Sequence, residues 1–171
     1  MQAKALENYG WRLGTGFLSS PLILFVLAEY DIDSAYKLLE NKEIPGWLSM
    51  PKNGATTIWE NWSGPFNTQG AGLGSLNHYS KGAVCEWLFK SMCGINVDGE
   101  NRFVISPRPG GSFTFAKASY NSVFGKVESE WEKKDGKVVY NVVIPANCEA
   151  KIILPGGTEL TAGPGEHSLF P

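Results

Sequence analysis

Residues 54 to 64 read GATTIWENWSG, and residues 75 to 79 read SLNHY. The first stretch sets one carboxylate, Glu60, between two indoles, Trp59 and Trp62. The second adds Asn77, His78 and Tyr79. A sugar ring has an apolar face and a rim of hydroxyls, and flat aromatics beside carboxylates and amides answer both features. The stretch around Glu60 supplies the carboxylate with the rings of Trp59 and Trp62 and the amide of Asn61, and the second stretch adds Asn77, His78 and Tyr79. Each residue also has a structural reading. Neighbouring tryptophans are commonly packing residues, and a single glutamate is commonly a surface ion-pair partner. His78, at the expected start of a helix, suits the capping of free backbone N–H groups as well as it suits a ligand.

The two stretches flank one irregular segment, from Trp47 to about Leu76. A loop this long in a compact domain is usually functional or disordered. Its aromatics Trp47, Trp59, Trp62 and Phe66 argue against disorder. Upstream, Ser19 or Ser20 is placed to cap a helix that begins at Pro21. Its body, LILFVLA, is apolar on every side, which predicts a helix surrounded by protein. Asp33 or Ser34 opens a second helix, with Ala35, Leu38 and Leu39 at i, i+3, i+4 spacing, and Pro45-Gly46 ends that run. A third helix is predicted from about His78 to Met92. Ala83, Val84, Trp87 and Leu88 form its apolar stripe, Lys81, Glu86 and Lys90 lie elsewhere, and Gly94 stands at the C-cap.

After Gly94 the period becomes two. SFTFAKA places Phe113 and Phe115 on one face. KVESEWEKK places Val127, Ser129 and Trp131 on one side and Glu128, Glu130 and Glu132 on a solvated other side. Asp135-Gly136 is a hairpin turn, KVVYNVVIP the returning strand, and EAKIILPGG and ELTAGPGEHSLF two more strands. The fold class is therefore α+β: a helical part over residues 1–94, then an antiparallel β-sandwich over residues 95–171.

Composition narrows the function classes. The 171 residues suffice for one full core or two small ones, and a net charge of −2 without a Lys/Arg cluster excludes a nucleic-acid surface. The longest apolar run, PLILFVLA, is too short to span a membrane. The beginning, MQAKALENYGWRLG, has no apolar signal core. Cys85, Cys93 and Cys148 are an odd set without metal-ligand spacing, which predicts reduced thiols, a cytoplasmic chain, and no metal or cofactor. GAGLG, residues 70 to 74, does not follow a strand, which disfavours a phosphate loop. His167 is expected at the surface.

Order and spacing resemble a known family. GTGFLSSPLILFVLAEY, AYKLLENKEIPGWLSM, GATTIWENW and SLNHYSKGAVCEWLFKSMCGI look like the end of the catalytic domain of bacterial α-L-rhamnosidases. ISPRPGG and YNSVFGKVESEWEKKDG carry the likeness through the β domain, so it covers nearly the whole chain. The TxWE element, with NH about eighteen residues later, is its most specific feature.

The resemblance implies the last part of an (α/α)6 barrel followed by a C-terminal β-sandwich. It also implies removal of terminal α-L-rhamnose with inversion. By resemblance Glu60 matches the general base and His78 a residue that contacts the sugar. Trp59, Trp62 and Trp47 match the neighbourhood of the pocket. The expected partner is a carbohydrate, L-rhamnose or a rhamnoside.

The family's general acid lies in an upstream acidic segment, and nothing here resembles it. Glu43 and Glu86, the other carboxylates nearby in sequence, lack a convincing pattern. Such a barrel has many more helices than this chain supplies. Apolar side chains on LILFVLA and around Trp87 would then stay in water, at about 1.5–3 kcal/mol each. The expectation is self-association through the helical half, or complementation by an upstream barrel portion, with no hydrolysis by the isolated chain. The alternative is a non-catalytic carbohydrate-binding or structural module. In full-length relatives an export signal would lie on the upstream portion, so periplasmic or secreted forms are compatible with the resemblance.

Overall fold

The computed structural model describes residues 6–66 and 74–170. The chain divides into two compact units, Met1–Cys85 and Glu86–Pro171.

In the first unit α1 (Ile23–Tyr30) packs against α2 (Ile32–Leu39). Asp31 separates them in an extended conformation. Its N–H donates to the Leu27 carbonyl, closing α1, and its carboxylate accepts from the N–H groups of Asp33 and Ser34, opening α2. The Ser34 hydroxyl, more than the backbone donors, holds the Asp31 carboxyl below its ordinary range. The cap is thus Asp31, upstream of the expected Asp33 or Ser34. The predicted Ser19/Ser20 cap is also absent, because α1 starts at Ile23 and Ser20 turns its hydroxyl to the Gly16 carbonyl (2.8 Å) and the Thr15 hydroxyl (2.9 Å). Leu24, Leu27 and Ala28 of α1 are buried, whereas Leu22 and Val26 are exposed, so this helix is not enclosed on every side by the chain itself. Ala35, Tyr36, Leu38 and Leu39 of α2 are buried.

The irregular segment contains a short helix, α3 (Ser49–Lys52), and a 3-10 turn at Gly64–Phe66. The predicted third helix appears as α4 (Tyr79–Gly82), α5 (Val84–Trp87) and a π-helical turn, Leu88–Met92. Gly94 follows with φ +80°, and a Cβ there would lie 2.1 Å from the Pro107 nitrogen, so glycine is required. Two expectations fail here. Trp87 is already fully buried within this chain, and Lys81, expected away from the core, is buried too.

The second unit holds two four-stranded sheets. One carries β1 (Ile95–Val97), β2 (Arg102–Ile105), β6 (Glu149–Leu154) and β7 (Thr158–Ala162) in the order β1-β2-β6-β7. The other carries β3 (Phe115–Ser122), β4 (Gly125–Lys134), β5 (Lys137–Ile144) and β8 (Gly165–Leu169) in the order β3-β4-β5-β8. All pairs are antiparallel except β2 with β6. Asp135 and Gly136 both have positive φ, as a two-residue hairpin turn between Lys134 and Lys137 needs.

Alternation decides the core. Val127, Ser129 and Trp131 of β4 are fully buried. The opposite glutamates pair with lysines, Glu128 and Glu130 with Lys117 and Glu132 with Lys134. Trp131 Nε1–H donates to the Met92 carbonyl at 2.9 Å and the Ser129 hydroxyl to the Cys93 carbonyl at 2.6 Å, satisfying buried polar groups. Phe103, Ile105, Ala150 and Ile152 line the other sheet's buried side. ELTAGPGEHSLF is two strands, not one: Pro164 has no N–H for the ladder, and β7 and β8 enter different sheets. Phe115 points outward, and Ala116 and Ala118 face the core.

Burial pushes the Cys93 thiol up to about 11. The unfolded thiol loses its proton near its ordinary value, so between the two values the native state binds more protons and stability falls as pH rises. Urea unfolding of the chain at about pH 8 and about pH 10.5 is expected to show a larger loss of midpoint for the wild type than for Cys93→Ala. Tyr140 and Cys148, shifted upward by burial as well, are common to both proteins.

Candidate functional site

The two ends of the irregular segment lie side by side. His78 N–H donates to the Ile58 carbonyl at 2.8 Å, and Glu60 N–H donates to the Ser75 carbonyl at 2.9 Å. The Thr57 hydroxyl donates to the Leu76 carbonyl. These bonds bring Glu60 and His78 onto adjacent lengths of backbone.

Glu60 is half-buried. Its Oε2 accepts the Ser75 N–H at 2.7 Å. Its Oε1 has no hydrogen-bond partner among the described residues, and the side chain makes no ion pair with any of them. Gly74, at φ +64°, permits this close approach. A Cβ there would sit 2.5 Å from Asn61 Nδ2 and 3.3 Å from Glu60 Oε2. Residues 70 to 73 of the GAGLG stretch lie outside the described residues.

His78 is the N-cap of α4, with extended φ and ψ. Its Nδ1 accepts the Ser80 N–H at 3.3 Å and lies 2.8 Å from the Ser80 hydroxyl. With Nδ1 accepting, the neutral ring carries its proton on Nε2, which has no partner among the described residues. The capping and ligand readings of His78 therefore use different nitrogens and do not compete. Phe17 stacks on the imidazole at 5.1 Å between centroids, and Tyr79 stacks on it at 4.9 Å. Tyr79 is highly exposed.

The tryptophans separate into two kinds. Trp47 and Trp59 are each 4% exposed and present almost no surface to a ligand. Trp47 Nε1–H donates to the Lys81 carbonyl at 3.0 Å. The Trp59 ring meets Phe66 edge-on, and Gly64 lies so close that a Cβ would come within 2.2 Å of it. Trp62 is half-buried, donates Nε1–H to the Thr15 carbonyl at 3.1 Å and meets Trp47 edge-on. Asn77 is exposed, and the Ser75 hydroxyl bonds both its N–H (3.1 Å) and its carbonyl (2.9 Å).

Glu60, Asn77 and His78 thus share the paired segments, Trp62 lines the unit beside them, and Trp47 and Trp59 form the packing beneath. Sequence reasoning does not reach Ser75, Gly74, Phe17 or Lys81. Gly74, the described end of the glycine run, is the one signal available, and its described role is steric. Among the described residues no cluster of three His, Cys, Asp or Glu is arranged to hold a metal ion.

Residues 1–92 match the family model of the bacterial α-L-rhamnosidase six-hairpin glycosidase domain. Residues 97–168 match that of the bacterial α-L-rhamnosidase C-terminal domain. This chain belongs to the bacterial α-L-rhamnosidase family. An α-L-rhamnosidase of Formosa agariphila is 40% identical over 149 residues, which cover 84% of this chain and 16% of that protein. The crystal structure of native α-L-rhamnosidase from Aspergillus terreus superposes with TM-score 0.91 at 28% identity, covering 98% of this chain and 20% of that one. The Streptomyces avermitilis α-L-rhamnosidase complexed with L-rhamnose superposes with TM-score 0.87 at 31% identity, covering 96% of this chain and 18% of that one. The chain spans 15% to 18% of the length of the curated relatives it matches. The likeness to barrel-plus-sandwich rhamnosidases agrees with the α+β architecture.

Gly64 has φ +50° and presses on the Trp59 ring. Gly64→Ala is expected to destabilise the first unit by roughly 1–3 kcal/mol through overpacking. Urea unfolding followed by tryptophan emission checks this, and an unchanged midpoint would contradict the packing role of Trp59.

Proposed function

We propose that this chain supplies the water-activating side of an inverting α-L-rhamnosidase site, with Glu60 as general base and L-rhamnose as the bound sugar. The observation that carries the reading is the Glu60 carboxylate. One oxygen is fixed by the Ser75 N–H, and the other has no partner among the described residues, beside the paired segment that carries His78. The Streptomyces avermitilis relative, similar over 96% of this chain, is complexed with L-rhamnose, which supports the choice of sugar.

In this reading a water oxygen bonds to the anomeric carbon on one face of the ring, and its proton passes to Glu60 Oε1. The glycosidic C–O bond breaks on the opposite face, and the departing oxygen takes a proton from an acid. The two carboxyl groups of an inverting pair stand roughly 6.5–9.5 Å apart. That acid must hold its proton until transfer. Glu43 is unsuited to this role, because it pairs with Lys52 at 2.7 Å, whose ammonium holds its carboxyl below the ordinary range. Glu86 is exposed and paired with Lys90 at 2.7 Å. In this proposal the acid comes, as the family resemblance implies, from an upstream barrel portion, and this chain alone does not hydrolyse rhamnosides. His78 Nε2–H and Asn77 are the polar contacts to the sugar, and Trp62 and the exposed ring of Tyr79 are the apolar ones. A second reading, a sugar-binding module without catalysis, is favoured by the open aromatic cluster at His78, which needs no acid to bind a sugar.

Titration of the purified chain with L-rhamnose, followed by tryptophan fluorescence, is expected to show binding. His78→Ala is expected to weaken it about tenfold or more, and Glu60→Gln to leave it within about threefold. Combined with an upstream barrel portion, the chain is expected to restore hydrolysis of a chromogenic α-L-rhamnoside. Glu60→Gln should then lower the rate by roughly 10²–10⁴-fold. Binding without restored hydrolysis selects the binding-module reading, and the absence of both leaves a structural role.

A further inference from the structure

Lys81 lies on α4, three residues after His78, and is 2% exposed. Its Nζ lies 3.3 Å from the Ser20 hydroxyl and 3.4 Å from the Thr15 carbonyl, both neutral. No described carboxylate forms an ion pair with it, and residues 1–5 and 67–73 contain no Asp or Glu. A buried cation without a counter-ion is costly to keep. Burial accordingly lowers its pKa. What the ammonium has instead is aromatic surface: it lies 4.3 Å from the Trp62 ring centroid and 5.1 Å from that of Phe17. Ring faces attract a cation, and the attraction grows when water is excluded.

Those two rings are the ones that touch the candidate site. Phe17 stacks on the His78 imidazole. Trp62 follows Glu60 by two residues, and its Nε1–H shares the Thr15 carbonyl with the Lys81 ammonium. The Lys81 backbone carbonyl in turn accepts from Trp47, which meets Trp62 edge-on.

We propose that Lys81 is a positioning residue of the sugar site: its ammonium clamps the faces of Trp62 and Phe17 and thereby fixes the Trp62 indole and the His78 imidazole relative to each other. The part of this proposal that concerns the sugar rests on the L-rhamnose reading above. Lys81 touches no reacting atom and acts through the two rings. Methionine approximates the lysine stem without its charge. Arginine keeps the charge and stacks well on aromatic faces.

The test compares the full chain with its Lys81→Met and Lys81→Arg variants by NMR of the Trp62 indole N–H and the His78 ring protons, with a thermal melt and an L-rhamnose titration of each. The expected result is that Lys81→Met moves both sets of resonances and weakens L-rhamnose about tenfold while its melt stays at or above the wild type. Lys81→Arg should restore the resonances and the affinity. Unmoved resonances in Lys81→Met, or a Lys81→Arg variant that behaves like Lys81→Met, would overturn the proposal. A wild-type chain that does not bind L-rhamnose removes the affinity arm and leaves the sugar reading to the complementation assay, and the resonances alone then decide the clamp. Should Lys81→Met fail to fold, a Tyr79→Phe chain with Lys81 intact is titrated upward in pH. Trp62 and His78 signals moving together as Lys81 loses its proton support the clamp, and static signals overturn it.

Discussion

Two backbone hydrogen bonds, His78 N–H to the Ile58 carbonyl and Glu60 N–H to the Ser75 carbonyl, hold the rest of the site. Fixing a residue's backbone costs roughly 1–2 kcal/mol of conformational entropy. A carboxylate on an unsupported loop would meet that cost with little to offset it. Here the pairing itself supplies the order. It turns the Ser75 N–H toward Glu60 Oε2, and it leaves His78 extended, the geometry an N-cap requires. Glu60 and His78 are thus fixed by main-chain groups, which side-chain exchange elsewhere in the loop does not remove.

The tryptophans serve this frame more as donors than as platforms. Trp47 reaches the Lys81 carbonyl, Trp62 the Thr15 carbonyl and, in the second unit, Trp131 the Met92 carbonyl. Each contact ties an aromatic body to a carbonyl of an irregular or terminating segment, where secondary structure leaves carbonyls without partners. A residue with a large apolar surface and one directed N–H suits that work. Trp59 differs, since its backbone N–H faces the Met50 sulfur at 3.4 Å and its ring is fixed by contact with Gly64. Two tryptophans flanking one glutamate therefore do two jobs: Trp59 anchors from below, and Trp62 stays partly open.

How far these features can be read in the sequence depends on the range of the interaction that fixes them. The strands of the second unit follow from alternation, a local property, so Val127, Ser129 and Trp131 are separable from the glutamates between them. The Asp135-Gly136 turn is equally local. The stripe through Ala35, Leu38 and Leu39 emerges from helical periodicity alone. The cap of α1 escapes a capping pattern because Ser20 commits its hydroxyl to Thr15 and Gly16, a choice no such pattern encodes. Lys81 escapes helical spacing because its partners are Ser20 and Thr15, 61 and 66 residues upstream. That spacing assigns it to a polar side that the fold does not provide. The meeting of Glu60 with Ser75 is suggested by their position at the two ends of one loop, but its geometry depends on Gly74, whose glycine run points elsewhere.

These distances in sequence bear on how a glycosidase site can be divided. Every described contact that positions Glu60, His78 and Trp62 lies between Thr15 and Lys81. The base side of the proposed reaction is therefore organised locally, and its order does not wait on the acid. The acid has no such freedom. In the proposed reaction it must face the base across one sugar ring and hold its proton until transfer. Lys52 does the opposite to Glu43, favouring its ionised form by proximity, and Glu86 is an exposed partner of Lys90. On the proposed reading the base side can be well formed while the chemistry stays off, and bringing the acid to it is the step that makes hydrolysis possible.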